Sequence, residues 1–289
     1  MSSSNIDIIR YQKGRSEHLQ DTVVREDWLD LYVNDILLLQ APVSGQEIEE
    51  LIYGYLFVEG YLKVGERLSL QHEHETWRTT VGREVKNVTM KELVDCAASK
   101  IEFGEEIEPL PPGPIVPVDT LLDLVADFQR LPSLYHSTGG VHMAAFAGEG
   151  FPTEGEKDRA GVGVERAEKA KGRRILYSAD DISRRNAVDK VIGKVFLGDA
   201  SSPDGNLRGS NGFKNGSKFR EGLLLVSGRI SSDIAVRMLR TGIPIIVSKS
   251  APTAKAVELA QAYGITLCGF ARGRRVNIYT RPERLARGG

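Results

Sequence analysis

Apolar positions in the second half of the chain fall into two alternating rhythms. Short apolar runs at 222–226, 243–247, 265–270 and 276–280 read as strands. Between the first three lie helical periods over 231–240 and 253–263, stopped by Gly242 and Gly264. A glycine just past a helix suits the left-handed residue that closes it. This alternation predicts an α/β layered domain with parallel strand pairing. Upstream, a helix over 119–131 precedes a strand-like run that ends at Phe146.

The first half has a different texture. Residues 1–20 are polar and unpatterned, and predict a flexible arm. Strand-like text then runs from Val23 to Val33, turns at Asn34-Asp35 and returns through Ile36–Leu39. Ser44 and Glu47 form a capping box for a helix with Ile48, Leu51, Ile52, Tyr55 and Leu56 on one face. Short strands follow over 63–88. A second capping box, Thr89 with Glu92, predicts a helix carrying Leu93, Val94, Ala97 and Ile101. Five prolines within 109–117 can neither continue a helix nor lie inside a sheet, so the domain boundary is placed there. The organisation expected is an arm (1–20), a smaller amino-terminal α+β domain (21–112) and an α/β domain (113–289). Stretches rich in Gly and polar residues near 149–174 and 199–216 read as surface insertions.

Composition narrows the function classes. Thirty-eight basic and 39 acidic residues give a net charge of −1, which argues against a general nucleic-acid binder. Two cysteines, Cys96 and Cys268, exclude a disulfide-rich scaffold and a cysteine-built zinc site. The start of the chain lacks the apolar core of a secretory signal, and no apolar run could span a bilayer, so a cytoplasmic protein without membrane contact is expected.

Candidate chemistry gathers at strand exits. Three loops, beginning at Ser227-Gly228-Arg229, Ser248-Lys249-Ser250 and Ala271-Arg272-Gly273, should share the ligand edge of an open α/β sheet. Two lead into helix N-termini, where anions are favoured, and the third adds guanidinium groups that grip phosphate. Ser227, Arg229, Ser248, Thr253 and Arg272 are the candidates for a phosphate-bearing ligand, although serines and threonines here can equally be helix caps. Neither GxxxxGK[ST] nor a strand-linked GxGxxG occurs, so ATPase and Rossmann readings fail. His142 follows Gly139-Gly140 and can be a core or a site residue. Asn186 can cap a helix or face a ligand. His72 and His74 alternate on one strand without a further ligand set. Cys96 falls on a polar helix flank near Lys91 and Lys100, where a thiolate could be reactive, whereas Cys268 lies in an apolar strand.

Six segments in order resemble the formate dehydrogenase accessory sulfurtransferase family, FdhD. They are Gly54-Tyr-Leu-Phe-Val-Glu-Gly60, Thr138-Gly-Gly-Val-His142, Asp181-Ile-Ser-Arg-Arg-Asn-Ala-Val-Asp-Lys-Val-Ile-Gly193, Ser227-Gly-Arg-Ile-Ser-Ser232, Ser248-Lys-Ser-Ala-Pro-Thr253 and Phe270-Ala-Arg-Gly273. The resemblance implies a carboxyl-terminal α/β/α domain similar to the cytidine deaminase fold, and a homodimer. It implies a sulfur carrier: a cysteine desulfurase loads a persulfide on Cys96, and the sulfur passes to molybdenum bis(molybdopterin guanine dinucleotide) for formate dehydrogenase. The cofactor is then an acceptor held transiently, with no protein-ligated metal. Its expected contacts are His142, Asn186, Ser227, Arg229, Ser248, Thr253, Phe270, Ala271, Arg272, Gly273, Arg274 and Arg275.

Three features depart from the family. Its cysteine pair reads Cys96-Ala97-Ala98-Ser99, its Gly-Arg-His-Asn stretch reads Ser183-Arg184-Arg185-Asn186, and the two insertions are longer. A non-catalytic chaperone for the molybdenum cofactor is therefore the alternative. Zinc-dependent deamination is excluded, because Met143-Ala144 follow His142 and no Pro-Cys-x-x-Cys occurs.

Overall fold

A computed structural model describes residues 2–85, 101–102, 105–106, 108–148, 174–199 and 217–286. The chain opens with a hairpin of β1 (Ser3–Gln12) and β2 (Arg15–Val24), turned through left-handed Lys13 and Gly14. The flexible arm expected over 1–20 is thus a two-stranded ribbon. Its pattern is hidden because Ile8 and Ile9 are adjacent, which puts one apolar side chain on each face. Ile6, Ile9 and Tyr11 stay exposed.

β3 (Asp27–Val33) and β4 (Ile36–Val43) form the hairpin expected, with Asn34 and Asp35 both left-handed as a two-residue turn requires. α1 (Ile48–Val58) follows, and β5 (Gln71–Glu73) and β6 (Thr76–Thr79) complete a sheet of order β4-β3-β6-β5. The capping box at Ser44 does not form. Glu47 is left-handed with no side-chain cap, and its carboxylate pairs with Lys194. β7 (Ile101–Glu102) and β8 (Glu105–Glu106) make a small antiparallel pair. The expected helix around Cys96 lies outside the described residues.

Past the prolines, β9 (Val116–Pro117) leads into α2 (Val118–Phe128), α3 (Leu134–Thr138) and β10 (His142–Gly148). β11 (Arg174–Asp181), α4 (Arg184–Asp199) and α5 (Ser217–Arg220) come next. β12 (Leu223–Val226), α6 (Ser232–Thr241), β13 (Ile245–Ser248), α7 (Ala254–Ala262) and β14 (Thr266–Arg272) supply the predicted alternation. β15 (Arg275–Thr280) returns beside β14, and β16 (Leu285–Ala286) pairs with β9, so a proline does join a ladder, though only one of two residues.

The main sheet runs β11-β10-β12-β13-β14-β15. β12, β13 and β14 pair in parallel, as the alternation predicts, while β10 runs antiparallel to β11 and β12, and β15 antiparallel to β14. Alternate residues supply two cores, as the pleat demands. Ala144, Phe146, Leu224, Val226, Ile246 and Leu267 face α4, α6 and α7. Met143, Ala145, Leu225, Val247 and Cys268 face α2 through Leu121, Leu122, Val125 and Phe128. The result is an α/β/α stack.

The first core also includes Leu31, Ile52 and Leu56, so it continues across the proline-rich boundary. α1 and α4 cross in backbone contact there. A Cβ on Gly54 would lie 1.8 Å from the Asp189 carbonyl oxygen, and one on Gly193 would lie 1.8 Å from that of Glu50. Beside this crossing, Arg237 of α6 donates from Nε and Nη2 to the Asp189 carboxylate at 2.7 and 2.8 Å, wholly buried. Removing one partner of such a pair typically costs about 3–5 kcal/mol. Among the described residues no helix is long and apolar enough to cross a membrane.

Candidate functional site

Strand direction decides which residues meet. β12, β13 and β14 end at one edge of the sheet, and antiparallel β10 begins there, so His142 stands beside the exit of β12. The Met143 amide donates to Ser227 Oγ at 2.9 Å, and the Ser227 amide donates back to the Met143 carbonyl at 3.0 Å. Ser248 Oγ donates to the Gly228 carbonyl at 2.6 Å and accepts from the Ser250 amide at 2.9 Å. Ile230 and Thr253 amides link the first two loops, and the Phe270 amide donates to the Ser250 carbonyl at 3.0 Å. The first two expected loops and the strand residue that precedes the third are therefore one hydrogen-bonded frame.

That frame uses several of the expected ligand groups internally. Ser227 and Ser248 hydroxyls fix the loops, and Thr253 Oγ1 caps α7 by accepting from the Ala256 amide at 3.3 Å. Ala271 is fully buried in the core, so its side chain cannot meet a ligand. Arg274 turns toward α2, donating to Asp123 and Asp119 at 2.9 Å each, and does not join the His142 cluster. Arg272 and Arg275 face each other, exposed, across the turn made by left-handed Gly273. Phe270 is half-buried and also left-handed, with φ 53°. Asn186 sits inside the first turn of α4 and is buried; it does not cap the helix, and its amide donates to Pro42 O at 3.1 Å and Asp181 Oδ1 at 3.0 Å.

What remains open at the edge is basic. Arg184, at the start of α4, and Arg229 line a narrow pocket with Met143, Val188, Val226, Gly228 and Ile234. His142 borders it: a Cβ on Gly228 would lie 3.0 Å from His142 Nδ1 and 3.5 Å from Arg184 Cβ. The absence of a side chain at 228 thus lets the two basic groups pack closely over the backbone, in a crevice with no room for a water molecule between them. Burial, and then the Arg184 and Arg229 charges, hold His142 below the ordinary histidine range, with Asp181 pulling the other way. Two guanidinium groups beside a half-buried imidazole can receive an anion, and burial strengthens that attraction relative to open water. Sequence reasoning passed over Arg184 and Gly228. One signal was available: Arg184-Arg185 put two cations at a helix N-terminus, against the helix dipole.

Behind the edge lies a buried polar knot. Lys190 Nζ meets Asp181 Oδ2 at 2.6 Å, Ser44 Oγ at 2.9 Å and the Asp180 carbonyl at 3.1 Å, with both charged side chains fully buried. Ser44, expected as a helix cap, instead lends its amide to Asp181 at 3.2 Å. Cys268 is buried, which pushes its thiol up to about 12, out of reach of thiolate chemistry near neutral pH. His72 stacks on Trp77, centroids 4.3 Å apart. Cys96 lies outside the described residues, as does most of both insertions.

Fold and edge together define a layered α/β protein with a basic sheet edge. Comparison with known proteins carries this further. The model of the FdhD/NarQ family matches residues 24–154 and 153–286, and the chain belongs to that family. It is 30% identical over 292 residues to the sulfur carrier protein FdhD of Sulfolobus acidocaldarius, spanning 99% of both chains. It is 27% identical over 293 residues to the protein of the same name from Bacillus subtilis, spanning 96% of both. Its fold is similar to the crystal structure of a formate dehydrogenase accessory protein from Desulfotalea psychrophila, with TM-score 0.71 and 23% identity over 99% of this chain.

Proposed function

We propose that this protein is a sulfur carrier for formate dehydrogenase maturation. The observation that carries the reading is similarity along nearly the whole chain to proteins named sulfur carrier protein FdhD. Cys96 is the acceptor thiol: its thiolate attacks the outer sulfur of a cysteine desulfurase persulfide, the desulfurase thiolate leaves, and Cys96 becomes the persulfide. The sulfur is delivered to molybdenum bis(molybdopterin guanine dinucleotide), which is substrate here. Its pyrophosphate groups suit the edge formed by His142, Arg184 and Arg229. The protein works in the cytoplasm, as a homodimer.

A second reading, a cofactor chaperone that carries no sulfur, draws on one observation. Ser99 stands where a second thiol would resolve the persulfide, and Cys268 is buried. Intact-mass spectrometry after incubation with a cysteine desulfurase and cysteine separates the two. Addition of one sulfur atom, lost in Cys96→Ala, supports the carrier. No added sulfur on a protein that still binds GDP, a fragment of the acceptor, leaves the chaperone.

A further inference from the structure

We propose that Lys190 is a positioning residue of the anion-receiving edge, touching no ligand but holding and neutralising Asp181 directly behind it. The proposal rests on the reading of that edge as a phosphate site. Asp181 is the cross-strand partner of His142 in the β10–β11 register, and it ends β11 where the chain turns into α4. A carboxylate at that place, left to itself, would repel the anion that Arg184 and Arg229 attract. Lys190 lies farther along the same helix and reaches back. All three of its N–H donors find oxygen: Asp181, Ser44 and Asp180.

The knot also sets position. Asp181 Oδ1 accepts from the Ser183 amide at 3.1 Å and from Asn186 Nδ2 at 3.0 Å, which fixes the turn that delivers Arg184 to the pocket. Ser44 brings in the β4–α1 connection, so both halves of the chain close around one ion pair. Because the amides of Ser44 and Ser183 and the Asn186 side chain also donate to Asp181, the carboxylate keeps donors when Lys190 is removed. Its charge would then be felt at the edge.

The test measures the NMR titration of the His142 ring and the affinity of inorganic pyrophosphate, by calorimetry, in three proteins. The charged groups acting on His142 are Arg184 of α4, Arg229 of the β12–α6 loop and Asp181 of β11. In Lys190→Met, His142 should titrate at higher pH than in the wild type, and pyrophosphate should bind roughly tenfold more weakly at low salt. In Lys190→Met/Asp181→Asn both changes should largely revert, because the bare charge is gone. A folded Lys190→Met protein with unchanged titration and affinity overturns the proposal. So does a double variant that remains as weak as the single, or that fails to fold. Should the single variant not fold, the double decides: wild-type affinity supports the role in charge, and tenfold weaker binding overturns it. If wild type itself does not bind pyrophosphate, the phosphate reading fails, while the His142 titration still reports on Lys190.

Discussion

Gly228→Ala separates ligand binding from folding at this edge. The added Cβ would lie 3.0 Å from His142 Nδ1, 3.4 Å from its Cε1 and 3.5 Å from Arg184 Cβ. Two of these contacts are ordinary, and the third requires the imidazole to yield by a few tenths of an ångström. Such mild overpacking costs about 1 kcal/mol. Alanine also restricts the unfolded chain, returning about 0.4–1 kcal/mol where the backbone is unstrained, and Gly228 is not among the glycines with positive φ. Net stability should therefore barely move. The methyl group pushes the imidazole away from Arg184, so a phosphate resting on the outer side of both groups can no longer reach both. Loss of one charge-assisted hydrogen bond, about 1.5–3 kcal/mol, corresponds to roughly ten- to a hundredfold in affinity. Thermal unfolding and calorimetric GDP titration on the same samples test both halves. An unchanged melting temperature with GDP affinity equal to wild type would refute the placement of the ligand, and a collapse of the fold would refute the packing argument.

The guanidinium groups should divide by location. Arg229→Ala should weaken GDP binding roughly tenfold or more, whereas Arg274→Ala, already paired with Asp119 and Asp123, should leave it unchanged in the same titration. The cysteines should divide likewise: Cys96→Ala abolishes formate dehydrogenase maturation in a complementation assay, and Cys268→Ala, removing only a buried packing atom, leaves it nearly intact. Glu59 gives a pH dependence. Burial, opposed by Arg237 and Arg240, raises its carboxyl from 4.5 to about 7. The folded state then holds a proton that the unfolded state has lost, so stability falls as pH rises from about 4.5 through about 7. Melting curves across that window should slope downward in the wild type and less so in Glu59→Gln.

Legibility followed the number of competing partners each residue has. The strands and helices after β12 each keep one apolar rhythm with a glycine stop, so local pattern and tertiary packing agree. The same holds for the β3–β4 hairpin, whose Asn-Asp turn is local chemistry. Ser44 shows the opposite case. Its Ser-x-x-Glu spacing is a sound helix signal, but Asp181, 137 residues later, offers the better partner. Asn186 was misread for the same reason. The edge loops could be located from strand exits, yet which hydroxyls hold the frame and which groups face solvent depends on the antiparallel entry of β10. That orientation is invisible in the local pattern, which signals parallel pairing only where helices separate the strands.

The crossing of α1 and α4 sets an order of events during synthesis. α1 begins at residue 48 and α4 at 184, so 136 residues, 184 minus 48, must leave the ribosome before the two helices can meet. At synthesis rates of about 5–20 residues per second, that is a wait of roughly 7–27 seconds. Until then α1 can pack only on the β3–β4 hairpin, through residues such as Leu31 and Leu38, and lacks the cover that Val188, Val191 and Ile192 of α4 later supply. The core that spans the two halves is therefore completed only when Gly193 reaches Glu50.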